Sequence, residues 1–233
     1  MKNDKKNTEY EHFSTLAREW WSKNGKFKLL HDIQPLRTEY ILKSLNKKKL
    51  NNLKILDLGC GGGLISEKLY ELGAEVTGID FVEENINVAN QHAKKNRYKI
   101  KYTVKDFEKE KIKSKFDVII IFEVLEHLND WEKFLKKIKI NLKKNGILII
   151  STINRNLISK FFSIDLAENL LNWIPLNTHS YYKFIKPEEL EYILSKNNFK
   201  NIQFKGITYN LIKTSWQFSE NTSINYFCSC KLS

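Results

Sequence analysis

Apolar residues recur along the chain with two distinct periods. Tyr10, Phe13, Ala17, Trp20 and Trp21 fall three and four apart, as on one face of a helix, and Thr8 with Glu11 can form a capping box at its start. A polar turn at Asn24-Gly25 separates this segment from a second helical stretch, from about Asp32 to Ser44. Beyond Leu53 short apolar runs alternate with helical spacing. Strands are expected at 53–58, 75–80, 99–104, 116–122 and 146–151, and helices at 64–71, about 82–95 and about 131–142. The run Phe116-Asp-Val-Ile-Ile-Ile-Phe122 is apolar on both faces and belongs inside a parallel sheet. Pro187 is well placed to open a helix to about Lys196, and strand-like stretches at 202–209 and 223–230 close the chain. Strands alternating with helices imply one α/β domain of Rossmann-like build, with a mostly parallel seven-stranded sheet covered on both faces. Its expected parts are an N-terminal helical cap (1–50), a core (53–152), an insertion after the fifth strand (155–186) and C-terminal strands (187–233).

Composition narrows the picture. With 233 residues, 42% of them hydrophobic and 12% aromatic, the chain can bury a continuous core, which excludes disordered and collagen-like classes. The longest apolar run, Val118 to Phe122, is too short to cross a bilayer. Lys2, Lys5 and Lys6 are followed by polar residues, so no secretory leader is expected. Cys60, Cys228 and Cys230 have no metal-ligand spacing and read as reduced thiols of a cytosolic protein. The formal charge of +12 suits an anionic partner, yet only Arg18, Arg37, Arg97 and Arg155 among 39 basic residues are arginine. Arginine makes the bidentate contacts of nucleic-acid sites, so its scarcity weighs against such a partner and leaves an anionic lipid surface open.

The first core strand ends in Asp57-Leu-Gly-Cys-Gly-Gly-Gly63 ahead of a helix. Glycines in such a turn let the backbone approach a ligand closely. A dinucleotide fingerprint requires glycine at position 64, which is leucine here, and Asp57 would face a pyrophosphate with a carboxylate. That arrangement suits a ligand carrying a sulfonium and an ammonium, S-adenosyl-L-methionine. Asp80 ends the second strand, 21 residues after Gly59, where a carboxylate can accept both ribose hydroxyls or, more plainly, cap the next helix. Asp57 to Gly63 with Asp80 resembles the class I methyltransferase signature, in which the glycine loop, Gly59 and Gly61 included, lies along the cofactor.

After the buried strand comes Phe122-Glu-Val-Leu-Glu-His127. In a helical turn Glu123, Glu126 and His127 would share one face, and two carboxylates with an imidazole can hold a divalent metal, the oxygen-rich set favouring Mg2+. The plainer reading is a surface turn. Methyltransferases that act on base amino groups resemble one another here in Asn/Asp-Pro-Pro-aromatic, which this chain lacks.

Several segments together resemble the ubiquinone-biosynthesis O-methyltransferases, the family that methylates polyprenyl catechols and demethylubiquinol. They are Glu19-Trp-Trp21, Phe27-Lys-Leu-Leu-His31, Pro35-Leu-Arg37, Asp57 to Gly63, Glu123 to His127, Ser151-Thr-Ile-Asn-Arg-Asn156, Thr178-His179, Lys183-Phe-Ile-Lys-Pro187 and Asn225-Tyr226, spanning almost the whole chain. The resemblance places Arg37, Gly59, Asp80 and Phe122 at the cofactor, with Arg37 pairing the methionyl carboxylate and Phe122 beside the adenosyl group. It also implies a Glu-x-x-Glu-His magnesium site at Glu123, Glu126 and His127, with His127 the rival candidate for a general base. The chain departs from the family pattern at Gln34, at Lys144-Asn145-Gly146 and at Asn177.

Within the insertion, Leu157, Ile158, Phe161, Phe162 and Ile164 share one helical face, and Leu166, Leu170, Leu171, Trp173 and Ile174 share another. Two such helices can dip into a lipid interface or fold onto the core as a substrate lid. With the resemblance and the charge, the expectation is a cytoplasmic enzyme held peripherally at the inner membrane through 155–174. It takes a polyprenyl phenol or quinol, works beside other enzymes of the pathway and binds no nucleic acid. The alternatives are an O-methyltransferase of another small phenol, a basic RNA-binding protein and a non-catalytic lipid-associated scaffold.

Overall fold

The computed structural model describes residues 10–156, 181–210 and 212–233. The Thr8 capping box and most of the insertion, including both of its expected amphipathic helices, lie outside the described residues.

Among the described residues eight strands form a single sheet. They are β1 (Lys54–Leu58), β2 (Glu75–Asp80), β3 (Lys101–Val104), β4 (Phe116–Phe122), β5 (Leu142–Ile153), β6 (Phe199–Asn210), β7 (Ser215–Ser219) and β8 (Asn225–Leu232). Their order across the sheet is β3-β2-β1-β4-β5-β8-β6-β7. The five strands from β3 to β5 pair in parallel, and β8 lies antiparallel between β5 and β6. The described sheet thus has eight strands rather than the expected seven. The additional one, β7, pairs antiparallel with β6 at the edge. Its five residues carry only two apolar side chains, Trp216 and Phe218, between polar ones, which does not set it apart from a loop.

The sheet is flanked by the described helices α1 (Lys28–Ser44), α2 (Leu64–Glu71), α3 (Glu83–Lys95), α4 (Trp131–Ile138) and α5 (Pro187–Lys196). The N-terminal segment is helical over residues 10–16 and tightens to a 3-10 turn at Ala17–Glu19. Helix α1 begins four residues earlier than the spacing implied and carries Pro35 inside it.

Period 2 along the central strands divides the core. Ile119 and Ile121 of β4 join Leu56, Leu58, Leu148 and Ile150 on one face, under Phe134, Leu135 and Ile138 of α4 and Leu190, Ile193 and Leu194 of α5. Val118 and Ile120 point the other way, joining Ile55, Val76, Ile149 and Phe227 under Ile33 and Ile41 of α1 and Ile65 and Leu69 of α2. Both faces of β4 are buried, as its unbroken apolar run requires. A third cluster, Ala17, Trp20, Phe27 and Leu64, fastens the N-terminal cap to the start of α2. The chain runs outward from β1 through β2 to β3 and then returns to β4 on the other side of β1. This reversal opens a crevice at the carboxyl ends of β1 and β4, where folds of this build bind ligands.

Candidate active site

The loop leaving β1 is shaped by glycine. Gly59, Gly61 and Gly63 have φ of +75°, +52° and +90°, the left-handed region that L side chains rarely adopt. A Cβ on Gly59 would lie 2.2 Å from Val124, and one on Gly61 would lie 2.3 Å from the Trp20 ring. The loop is anchored by amides: Gly59 N donates to the Ile79 carbonyl at 2.7 Å, and Gly61 N donates to Asp80 Oδ2 at 2.9 Å.

Both acids predicted at this loop are buried. Asp57 Oδ2 accepts the Ser66 hydroxyl at 2.6 Å. Burial pushes the Asp57 pKa up to about 6, against the opposing pull of Ser66 and the Arg37 charge. Asp80 is also raised by burial, with amides of Val82 and Gly61 working against it. Its Oδ1 accepts from Val82 N at 2.8 Å and from Asn85 Nδ2 at 3.4 Å.

Across the crevice, α1 delivers Arg37, buried, with its guanidinium 5.2 Å from the centre of the Phe122 ring and 3.4 Å from Glu123 Oε1. Arg37 Nε has no hydrogen-bond partner among the described residues. A buried guanidinium with an idle donor, two buried carboxylates and a glycine cradle suit a ligand that carries a carboxylate, two cationic centres and a ribose. S-adenosyl-L-methionine fits on these grounds. The five cofactor residues drawn from sequence, Arg37, Gly59, Gly61, Asp80 and Phe122, all lie around the carboxyl ends of β1, β2 and β4.

The Glu123 to His127 segment departs from the expected turn. Glu123 sits at φ +53°, outside a 3-10 turn that spans only Leu125–His127. The three side chains therefore do not share the face of one regular helix. Among the described residues no three His, Cys, Asp or Glu side chains gather as a metal cluster. The structure does assemble a carboxylate pair. Glu123 Oε1 accepts the Ser151 hydroxyl at 2.7 Å, and Glu126 Oε2 accepts the Thr152 hydroxyl at 2.9 Å. Burial, then the neighbouring Glu123 charge, holds the Glu126 pKa well above the usual carboxylate range, and its buried Oε1 has no hydrogen-bond partner among the described residues. Oxygen donors of this kind fit Mg2+, which is commonly held by one or two carboxylates together with waters and substrate. The His127 ring is edge-on to Phe13 at 5.6 Å, and its carbonyl accepts Lys183 Nζ at 3.2 Å.

Sequence reading did not find Ser66 or Asn85, and it placed Trp20 only on a helical face and in the Glu19-Trp-Trp21 segment, not at the glycine loop. Trp20 covers the glycine loop, and Trp21 Nε1 donates to the Gly62 carbonyl at 3.0 Å. Ser151 and Thr152 were legible only as part of the Ser-Thr-Ile-Asn-Arg-Asn segment. Gln34, a departure from the family pattern, donates Nε2 to the Leu64 carbonyl at 2.7 Å and so tethers α1 to the loop's exit.

Residues 49–202 match the family model of a methyltransferase domain. The chain is 47% identical over 226 residues to the ubiquinone biosynthesis O-methyltransferase of Pelagibacter ubique, covering 94% of each chain. It is 41% identical over 224 residues to the enzyme of the same name from Rickettsia prowazekii, covering 94% of this chain and 88% of that one. The fold is shared with N-methyltransferase NodS from Bradyrhizobium japonicum, crystallised with S-adenosyl-L-homocysteine (TM-score 0.64, 17% identity, 96% and 98% coverage). It is shared too with magnesium protoporphyrin IX methyltransferase from Synechocystis, crystallised with S-adenosyl-L-methionine (TM-score 0.62, 18% identity, 95% and 97% coverage). A class I methyltransferase fold, a glycine loop between two buried acids and this likeness along nearly the whole chain make one conclusion: the chain belongs to the ubiquinone biosynthesis O-methyltransferases.

Proposed function

We propose that this S-adenosyl-L-methionine-dependent O-methyltransferase of ubiquinone biosynthesis methylates the phenolic hydroxyls of polyprenyl catechol and demethylubiquinol. The observation that carries the reading is the convergence of Asp57, Asp80, Arg37 and Phe122 on one crevice, in a chain 47% identical to a ubiquinone biosynthesis O-methyltransferase. Asp80 accepts the ribose hydroxyls, Arg37 pairs the methionyl carboxylate, Phe122 borders the adenosyl group, and the backbone at Gly59 and Gly61 lies along the cofactor. The cofactor supplies a methyl group activated by a sulfonium. Methyl transfer is an in-line displacement, so the chain's main contribution is to hold the two reactants in place and exclude water.

The acceptor phenol must lose a proton, since free phenols ionise near pH 10. Glu123 and Glu126 are proposed to hold Mg2+, with His127 joining them once the ion is bound, a reading supported by the Glu126 oxygen that has no partner among the described residues and by the carboxylate crowding a cation would relieve. The ion supplies a Lewis acid for the phenolic oxygens. In the rival arrangement His127 takes the proton directly. Transfer to a short-tailed demethylubiquinol, measured with magnesium and with chelator, tests both. Product only with magnesium supports the full reading, full activity in chelator removes the metal, and no product in either condition points to another hydroxyl acceptor.

Peripheral membrane contact through 155–174 is part of the same proposal. No described helix is long and apolar enough to cross a membrane. Support comes from the +12 charge and from the β6–β7 hairpin. Ile153 of β5 and Ile207 of β6 both pair with Asn225, so β6 points the same way as β5 and runs on to Asn210 at the substrate end. At the hairpin's tip Ile212 is 95% exposed beside Lys213.

A further inference from the structure

Asp80 is held by the N-terminal cap as well as by its own loop. Trp20 is buried, its ring stacked on Phe27 at 4.0 Å and lying against Gly61 and Gly62. Its Nε1 donates to Asn85 Oδ1 at 2.8 Å, a contact between residues 65 apart in sequence. Asn85, buried on the first turn of α3, turns its Nδ2 toward Asp80 Oδ1 at 3.4 Å. An indole N–H only donates and an ionised carboxylate only accepts, so an amide bridging the two has one permitted orientation. The cap is also fixed to the core where the Tyr10 hydroxyl donates to Glu84 Oε2 at 3.0 Å, and the contacts around Trp20 and Trp21 are braced in turn. His31 Nε2 meets the Trp20 carbonyl at 2.9 Å, the Trp21 ring stacks on His92 at 3.4 Å, and His92 Nδ1 meets Glu67 at 2.8 Å.

We infer that Trp20 and Asn85 are positioning residues for the cofactor's ribose, orienting the Asp80 carboxylate through the chain Trp20–Asn85–Asp80. The inference rests on the reading of Asp80 as the ribose-binding acid. Its physical content is that one donor on Asp80 Oδ1 is set by an aromatic side chain from outside the Rossmann-like core. Without that donor the carboxylate keeps its amides, Gly61 N on Oδ2 and Val82 N on Oδ1, but Oδ1 loses its second donor and the carboxylate turns more easily. Affinity for the ribose then depends on the cap being seated.

The test is calorimetric titration of the full chain with S-adenosyl-L-homocysteine and with its 2′-deoxy analogue. Trp20→Phe keeps a ring against the glycines and removes the indole donor. Asn85→Asp keeps the shape and still accepts from Trp20, but the ionised side chain cannot donate to Asp80. The expected result is a five- to tenfold weaker Kd for S-adenosyl-L-homocysteine with Trp20→Phe, a larger loss with Asn85→Asp, and a smaller preference for the ribo form over the 2′-deoxy form in both. The KM for the cofactor is expected to rise in step with Kd. Unchanged binding in both variants overturns the proposal. Equal weakening for both ligands also overturns it, because that marks a packing role only. Asp80→Asn is the control: if it binds S-adenosyl-L-homocysteine as the parent does, the ribose reading itself fails and the inference falls with it.

Discussion

Asp57 shows how much one buried carboxyl can control. Its pKa, raised by burial to about 6, lies above the ordinary aspartate value, so the native state without ligand binds this proton more tightly than the unfolded chain. The resulting stability is fully present below about pH 4 and is lost as pH rises through about 6, a difference on the order of 2–3 kcal/mol. A cation in the crevice favours the ionised form. Affinity for S-adenosyl-L-methionine is therefore expected to rise by up to tenfold per pH unit below about 6 and to level off above it. Calorimetry from pH 5 to 7.5 measures this, and Asp57→Asn is expected to flatten the profile; an equally steep profile in that variant would show that another group titrates. Asp57 and Asp80 were readable because strand ends and glycine spacing locate them. Ser66 and Asn85 were not, because a hydrogen bond from Ser66 to Asp57 or from Trp20 to Asn85 leaves no local spacing in the sequence.

Among the elements, the β1–α2 turn is the least tolerant of change. Gly61→Ala would put a methyl group at φ +52° and 2.3 Å from the Trp20 ring, so the loop or the cap has to move. The expected outcome is a cofactor affinity reduced tenfold or more with a lowered Tm, read by calorimetry and thermal melting. By contrast, Asp130→Ala removes only the cap of α4, where the Asp130 side chain accepts Lys133 N. About 1 kcal/mol and a Tm shift of roughly 2–4 °C are expected, with cofactor affinity unchanged. The parallel strands and their helices announced themselves because short apolar runs alternate with helical spacing along the core. β7 did not, being an edge strand with two apolar residues set among serines and a glutamine, and neither did the left-handed Glu123, since nothing in a Glu-x-x-Glu-His spacing signals a positive φ.

For the molecule as a whole, sequence alternation gave the fold class but could not order the strands. The placement of β8 between β5 and β6 is decided by pairing across more than seventy residues, Ile153 with Asn225 at one end and Ile147 with Lys231 at the other. That placement aligns the β6–β7 hairpin with the substrate end. If the expected insertion and this hairpin form one membrane-facing edge, flotation on anionic vesicles will weaken in Phe161→Ser/Phe162→Ser and weaken further when Ile212→Ser is added. Binding equal to the parent in the triple variant would contradict the proposed orientation.

The three cysteines, all buried and free, carry a kinetic consequence. Burial raises each thiol's pKa, so the attacking thiolate is scarce until the surroundings open. Cys228 and Cys230 lie in β8, laced on both sides, and an alkylating reagent reaches them only when that ladder parts. Cys60 lies within the glycine loop and needs only the loop and its tryptophan cover to lift. The chain thus contains two clocks, one for local opening at the cofactor and one for global unfolding. Mass spectrometry after timed N-ethylmaleimide exposure should find Cys60 modified first, and S-adenosyl-L-homocysteine should slow that clock more than the other; a single shared rate for all three would mean that the loop and the sheet open together.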